Sequence, residues 1–233
     1  MDARRGYVPE DERFFSSDAL ETMRTASRHI QYLVNEGYDL KQASTFVGNH
    51  FLLSERQRLA VMRSIGTQKE LDARLKKQVP VTGLSGKEVR VDGFNTVITL
   101  EVLLSGGILL SCMDGCIRDL AALRGTYRII PETEKAARIM FDKLQKAGVR
   151  KVTLLLDEPV SNSGRLKALL ADIAEAYAFS IDIRILKDVD RELYGNENVI
   201  TSDSIILDHC ASWVNLTAEC VERDGMRALR VWE

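Results

Sequence analysis

Three stretches in the second half of this chain repeat one plan: an apolar run of strand length, an aspartate at its end, then a segment with helical spacing. In "VDGFN", Val89 and Val91 alternate with charged neighbours, the run halts at Asp92-Gly93, and Asn95 opens an apolar segment through Val97, Ile98, Val102 and Leu104. "VRKVTLLLDEPVSNSGRLKALL" repeats the plan, with Val152 to Leu156 as the strand, Asp157 at its tip and a helix to about Tyr177. In "NVITSDSIILDHC", Val199-Ile200 leads to Asp203 and an amphipathic helix that carries Asp208. Strands and helices alternating at this spacing predict an α/β fold, a mostly parallel sheet with helices on both faces.

One Asp-Gly is explained equally well by a turn with Asn95 as helix N-cap. Three strand-end aspartates need more, because the C-terminal edge of an open α/β sheet is where ligands bind. Carboxylates gathered there repel and raise one another's pKa unless a cation joins them. Asp92, Asp157 and Asp203 are therefore the site candidates, and a divalent metal is the economical reason for them.

The intervening segments complete the pattern. "GGILLSCMDGCIRD" reads as a hairpin, with a two-residue turn at Asp114-Gly115 that pairs Met113 with Cys116. "GTYRII" reads as a short strand, and Pro131 opens a helix to about Ala147 that Gly148 closes. "SIDIRIL" is a strand by alternation, and "SWVNL" and "MRALRVW" finish as strands.

Before this half, Ser17 to Ile65 carries three helical stripes. Their starts fit capping boxes at Asp18 with Glu21, Asp39 with Gln42 and Ser54 with Gln57. A small helical bundle for packing or homodimerisation is the expectation. A helix-turn-helix with Arg56, Arg58 and Arg63 on phosphate is the competing one, weakened by near-balanced charge up to Pro80. The division expected is residues 1–80 and 87–233, with the charged, breaker-rich "QKELDARLKKQVPVTGLSG" as boundary. "GLSGK" is no phosphate loop: Val81 stands where its first glycine belongs, Glu88 replaces the hydroxyl, and it precedes a strand.

Composition narrows the class. The chain has 32 basic and 34 acidic residues, so net charge announces no polyanion binding. Its longest apolar stretch, Val97 to Met113, is interrupted by Glu101 and Gly106-Gly107, and the start is charged. A cytoplasmic protein without a membrane span is expected. Four scattered cysteines are too few for a disulfide framework. Cys112 and Cys116 with His209 or Cys210 lack the paired spacing of a structural zinc site.

"VDGFNTVIT" and "VITSDS" resemble motifs of PIN-like nucleases, particularly their NYN branch. The region from Lys87 to Glu233, with "DGCIRDLAALRGTYR" and "LLLDEPVSNSG", is more closely similar to an uncharacterised prokaryotic family, a domain of unknown function with a helical N-terminal region. The PIN-like resemblance implies a Rossmann-like sheet, with Mg2+ or Mn2+ held by Asp92, Asp157 and Asp203. It implies that Asn95 orients the first of these and that Thr201 and Ser202 line the substrate site. A further acid is expected at a helix start, for which Asp188 and Asp190 are nearest; Asp208, also a candidate metal ligand, and Asp119 are substitutes. The implied activity is hydrolysis of RNA phosphodiesters by a metal-activated water. The alternative is a PIN-like module that binds RNA or a protein partner without cutting.

Overall fold

The computed structural model describes residues 4–121, 123, 125–223 and 228–233. Five helices come first: α1 (Asp11–Phe14), α2 (Ser17–Asn35), α3 (Leu40–His50), α4 (Glu55–Ser64) and α5 (Gln68–Lys77). Then follow β1 (Glu88–Asp92), α6 (Gly93–Ser105), β2 (Leu109–Ser111), β3 (Ile117–Asp119), α7 (Pro131–Lys146), β4 (Lys151–Asp157) and α8 (Ser163–Ala174). The chain continues with β5 (Ser180–Leu186), α9 (Val189–Leu193), β6 (Val199–Ile200), α10 (Ser204–His209), β7 (Trp213–Val214) and α11 (Leu216–Arg223).

Five strands form one sheet in the order β5-β4-β1-β6-β7, every neighbour parallel. The sheet grows outward from β1 in both directions, so its order reverses between β1 and β6. Alternation sends successive residues to opposite faces. Val152, Leu154 and Leu156 of β4 join the larger core with α6, α7, α8 and α11, while Leu155 joins Val199, Trp213, Ile206 and Leu193 on the side of α9 and α10. Strands buried on both faces explain the unbroken apolar run of β4.

A third cluster packs Met23 and Ile30 of α2, Val47 of α3 and Val61 of α4 against Leu110, Cys112 and Leu120 around the β2-β3 hairpin, and against Val231. The N-terminal helices thus share their apolar core with the hairpin. Their caps differ from expectation in part. Ser54 and Gln57 form a reciprocal box, and Asp39 caps α3 through the Gln42 amide at 2.9 Å. Ser16, not Asp18, caps α2. The expected boundary begins with an ordered helix, α5, launched by a further reciprocal box of Thr67 and Glu70.

Three other expectations are corrected. The hairpin loop has three residues, Met113 to Gly115, with Gly115 at φ 79°. Ser111 pairs with Ile117 and the Cys112 amide donates to the Cys116 carbonyl at 3.0 Å, so the two cysteines stand opposite each other. "GTYRII" is not a strand: the Tyr127 amide and carbonyl bond to the side chains of Ser161 and Asn162 instead of a sheet neighbour. Of "MRALRVW", Met226 and Arg227 lie outside the described residues, and the rest makes only a bridge from Leu229 to Leu110. No helix among the described residues is long and apolar enough to cross a membrane.

Candidate functional site

The site lies where the strand order reverses, the place at which an open parallel sheet leaves a crevice beyond its strand ends. Asp92 ends β1 and Gly93 starts α6 immediately. A Cβ on Gly93 would sit 2.7 Å from the Leu155 carbonyl oxygen and from Leu154 and Leu156 Cδ2, so only glycine lets the helix leave this close to β4. Asp157 ends β4, and β6, on the other side of β1, runs out into Thr201, Ser202 and Asp203 before α10.

A cavity of about 230 Å3 opens there, lined by Asp92, Asp157, Asp190 and Asp203 together with Asn95, Phe94 and Tyr127. The three strand-end aspartates thus face one space, and the further acid in it is Asp190, from α9. Thr201 Oγ1 donates to Asp92 Oδ2 at 2.8 Å and accepts from the Asp203 amide at 3.0 Å. Asn95 Oδ1 accepts from both the Ser202 amide and hydroxyl at 2.9 Å. Asn95 Oδ1 is therefore spent on fixing Ser202 after β6 and not on orienting Asp92. Asp203 caps α10, accepting from the Ile205 and Ile206 amides at 2.8 and 3.2 Å.

Electrostatics follow from the crowding. Burial pushes the Asp92 carboxyl up to about 7; Thr201 opposes this, and Asp203, Asp157 and Asp190 add to it. Burial raises Asp157, with Asp190 and Asp188 adding, and burial raises Asp190, with Asp203 and Asp188 adding. Carboxyls raised by burial and then by one another within a single crevice are a mark of a candidate functional site. Among the described residues, no three acidic, histidine or cysteine side chains are close enough to make a ready-formed cation site. The donor set nevertheless fits a hard cation in kind: all oxygen, mutually repelling, and facing one cavity. Mg2+ takes one or two carboxylates and keeps several waters, which does not require a closed cage.

The remaining candidates are elsewhere. Asp208 binds Arg74 in bidentate fashion, at 2.7 and 2.9 Å, and does not line the acidic cavity. Asp119 accepts from Thr99 Oγ1 and the Ala121 amide. Asp188 caps α9 through the Arg191 amide. Arg56 is committed to Asp11 and to the Leu120 and Gly6 carbonyls, and Arg58 to the Leu53 carbonyl and Asn49, which removes two arginines from the helix-turn-helix reading.

Two supports were not visible in the sequence. Arg118 of β3 donates to the Ser202 carbonyl at 2.7 Å and grips Asp114, which Arg74 also holds at 2.9 Å. Burial opposes charge on Asp114, but Arg118 and Arg74 outweigh it and hold the carboxyl below its ordinary range. Tyr127, on the cavity wall, donates to the fully buried Glu101 of α6 at 2.6 Å. The signals were weak: a hairpin arginine four residues from an aspartate, and one acid inside an apolar helix.

Fold and site together define an open parallel α/β protein with an acidic cavity at the reversal of its strand order. The chain belongs to the family described as Domain of unknown function (DUF5616), whose model matches residues 81–219. Residues 22–77 match Protein of unknown function (DUF434). The chain is similar to an uncharacterized protein of Methanocaldococcus jannaschii, 32% identical over 203 residues that cover 86% of this chain and 97% of that one. No solved structure matches it.

Proposed function

We propose that the protein is a metal-dependent ribonuclease whose C-terminal half is a PIN-like, NYN-like domain and whose N-terminal helices form an accessory bundle. The observation that carries this reading is the convergence of Asp92, Asp157, Asp190 and Asp203 on one cavity at the strand-order reversal. Asp92, Asp157 and Asp203 would hold Mg2+ or Mn2+, with Asp190 as the further acid. When bound, the ion would supply an activated water and charge stabilisation at the phosphate. The protein's own groups do the positioning. Thr201 holds one Asp92 oxygen, Asn95 and Arg118 pin Ser202 from its two sides, and the α10 amides fix Asp203.

One observation favours a second reading. Asp92 and Asp203 each already accept from protein donors, Thr201 and the α10 amides, as in a weakened PIN-like module that grips RNA or a protein partner without cutting.

The test is manganese-dependent cleavage of single-stranded RNA by wild type and Asp92→Asn at verified folding. The expected loss is about 10²-fold or more, as for removal of a key charge-stabilising group. Equal activity would remove Asp92 from the site. A wild type that cleaves no RNA would favour the binding module.

A further inference from the structure

Beside the acidic cavity lies a larger one of about 720 Å3, bounded by the N-terminal helices on one side and the β6-α10 edge on the other. The two share Asn95, Ile98, Leu123 and Asp203 as a common wall. We propose that this larger cavity is the cleft for single-stranded RNA, with a base stacked on Tyr38 beside the acidic site. The inference rests on the ribonuclease reading and specifies where its substrate lies.

The cleft is in the size range of nucleotide-scale ligand sites and far larger than a hydrated ion needs. Its lining is amphipathic. Leu59, Met62 and Ile98 give it an apolar floor, while Tyr38 and Ile205 line it yet stay 62% and 52% exposed. An aromatic face open to solvent at the rim of an apolar cleft is what base stacking uses, and every base can use it. The cleft's cations point to stacking as the main source of affinity. Arg74 and Arg118 lie in it but are committed to Asp114 and Asp208, two charges against two. Arg63 is engaged as well, donating to the Asp119 carbonyl and standing 3.6 Å from the Asp119 carboxylate, but it is the most exposed of the three and keeps an open edge for one phosphate. RNA held there is held chiefly by stacked bases and through about one phosphate contact. Affinity should therefore depend steeply on Tyr38 and weakly on salt, with a log–log slope near −0.7 for one phosphate on a single strand.

The experiment uses the full chain and a fluorescently labelled oligoribonucleotide of about 12 nucleotides, within the range of single-strand sites. Anisotropy is read with Ca2+ replacing Mn2+, and thermal melts verify the fold of each variant. Tyr38→Ala should weaken binding about tenfold, the scale of one lost stacked base, and Tyr38→Phe should retain it. Ile205→Ser should weaken it less, and the salt slope should stay near −0.7. Equal binding by wild type and Tyr38→Ala, or no binding by wild type, overturns the cleft. Manganese-dependent cleavage with an unchanged KM in Tyr38→Ala also overturns the cleft but leaves the ribonuclease reading standing. Binding that falls in Tyr38→Ala without any wild-type cleavage supports the cleft and removes the nuclease.

Discussion

Replacing Asp92 by asparagine should make the folded protein more stable, by an amount that grows with pH. Burial, opposed by Thr201 and reinforced by Asp203, Asp157 and Asp190, lifts this carboxyl from 3.8 to about 7 in the folded chain. Between those values the native state keeps a proton that the unfolded state has released. Stability therefore falls as pH rises through that window, fully present below it and lost above it. At about 1.36 kcal/mol per pH unit of separation, the loss reaches about 2 kcal/mol near pH 5 and about 4 kcal/mol near pH 8. Asparagine matches the shape of the protonated acid and has no proton to lose. Thr201 Oγ1, 2.8 Å from Asp92 Oδ2, still finds an acceptor in the amide oxygen. Urea unfolding of both proteins in EDTA, near pH 5 and near pH 8, should give a gap in favour of the variant that roughly doubles across the range. A constant gap, or a variant weaker than wild type near pH 8, refutes the reasoning. Saturating Mn2+ should narrow the gap, because an ion bound only by the native wild type adds RT ln(1 + [L]/Kd).

Gly93→Ala should destabilise the fold by about 1–3 kcal/mol, since its Cβ would meet a backbone carbonyl at 2.7 Å that cannot swing aside. An unfolding free energy within about 0.5 kcal/mol of wild type would mean the α6 start tolerates a side chain. Arg74→Met should cost about 3–5 kcal/mol, because Asp114 and Asp208 lose a buried partner that ties α5 to α10. A loss below about 1 kcal/mol in denaturant titration would show that Arg118 alone suffices for Asp114.

What could be read from the sequence was what repeats over a few residues. Strand, aspartate and helix follow one another in "VDGFN", "LLLDEP" and "VITSDS" because a buried parallel strand must be apolar on both faces and stop at a polar tip. That pattern placed Asp92, Asp157 and Asp203 at strand ends, and the parallel sheet brings those ends to one edge. Helix α5 was obscured because its buried side is narrow: Leu71 and the charged Arg74 are its buried residues, so periodicity saw only charge, although Thr67 and Glu70 already spell its cap. Asp-Gly suits both a two-residue turn and a three-residue loop with glycine in the left-handed position, so the sequence leaves the hairpin register open by one residue.

The separation of Asp208 from Asp190 shows where local reasoning stops. Asp208 follows Asp203 by five residues, and at 3.6 residues per turn that carries it about 140° around α10. It faces α5, where Arg74 takes both its oxygens. Asp190 has no motif around it; it reaches the cavity because α9 crosses beside β1 and β4, a consequence of the return from the far strand β5 to β6 on the other side of β1. A residue's side of a helix is written within one turn of sequence, whereas the crevice at a strand-order reversal exists only once strands more than a hundred residues apart have paired. An acidic site assembled at such a reversal therefore shows its strand-tip members by pattern in the sequence, and leaves the one delivered by the crossover as a choice among neighbouring acids, here Asp188 and Asp190.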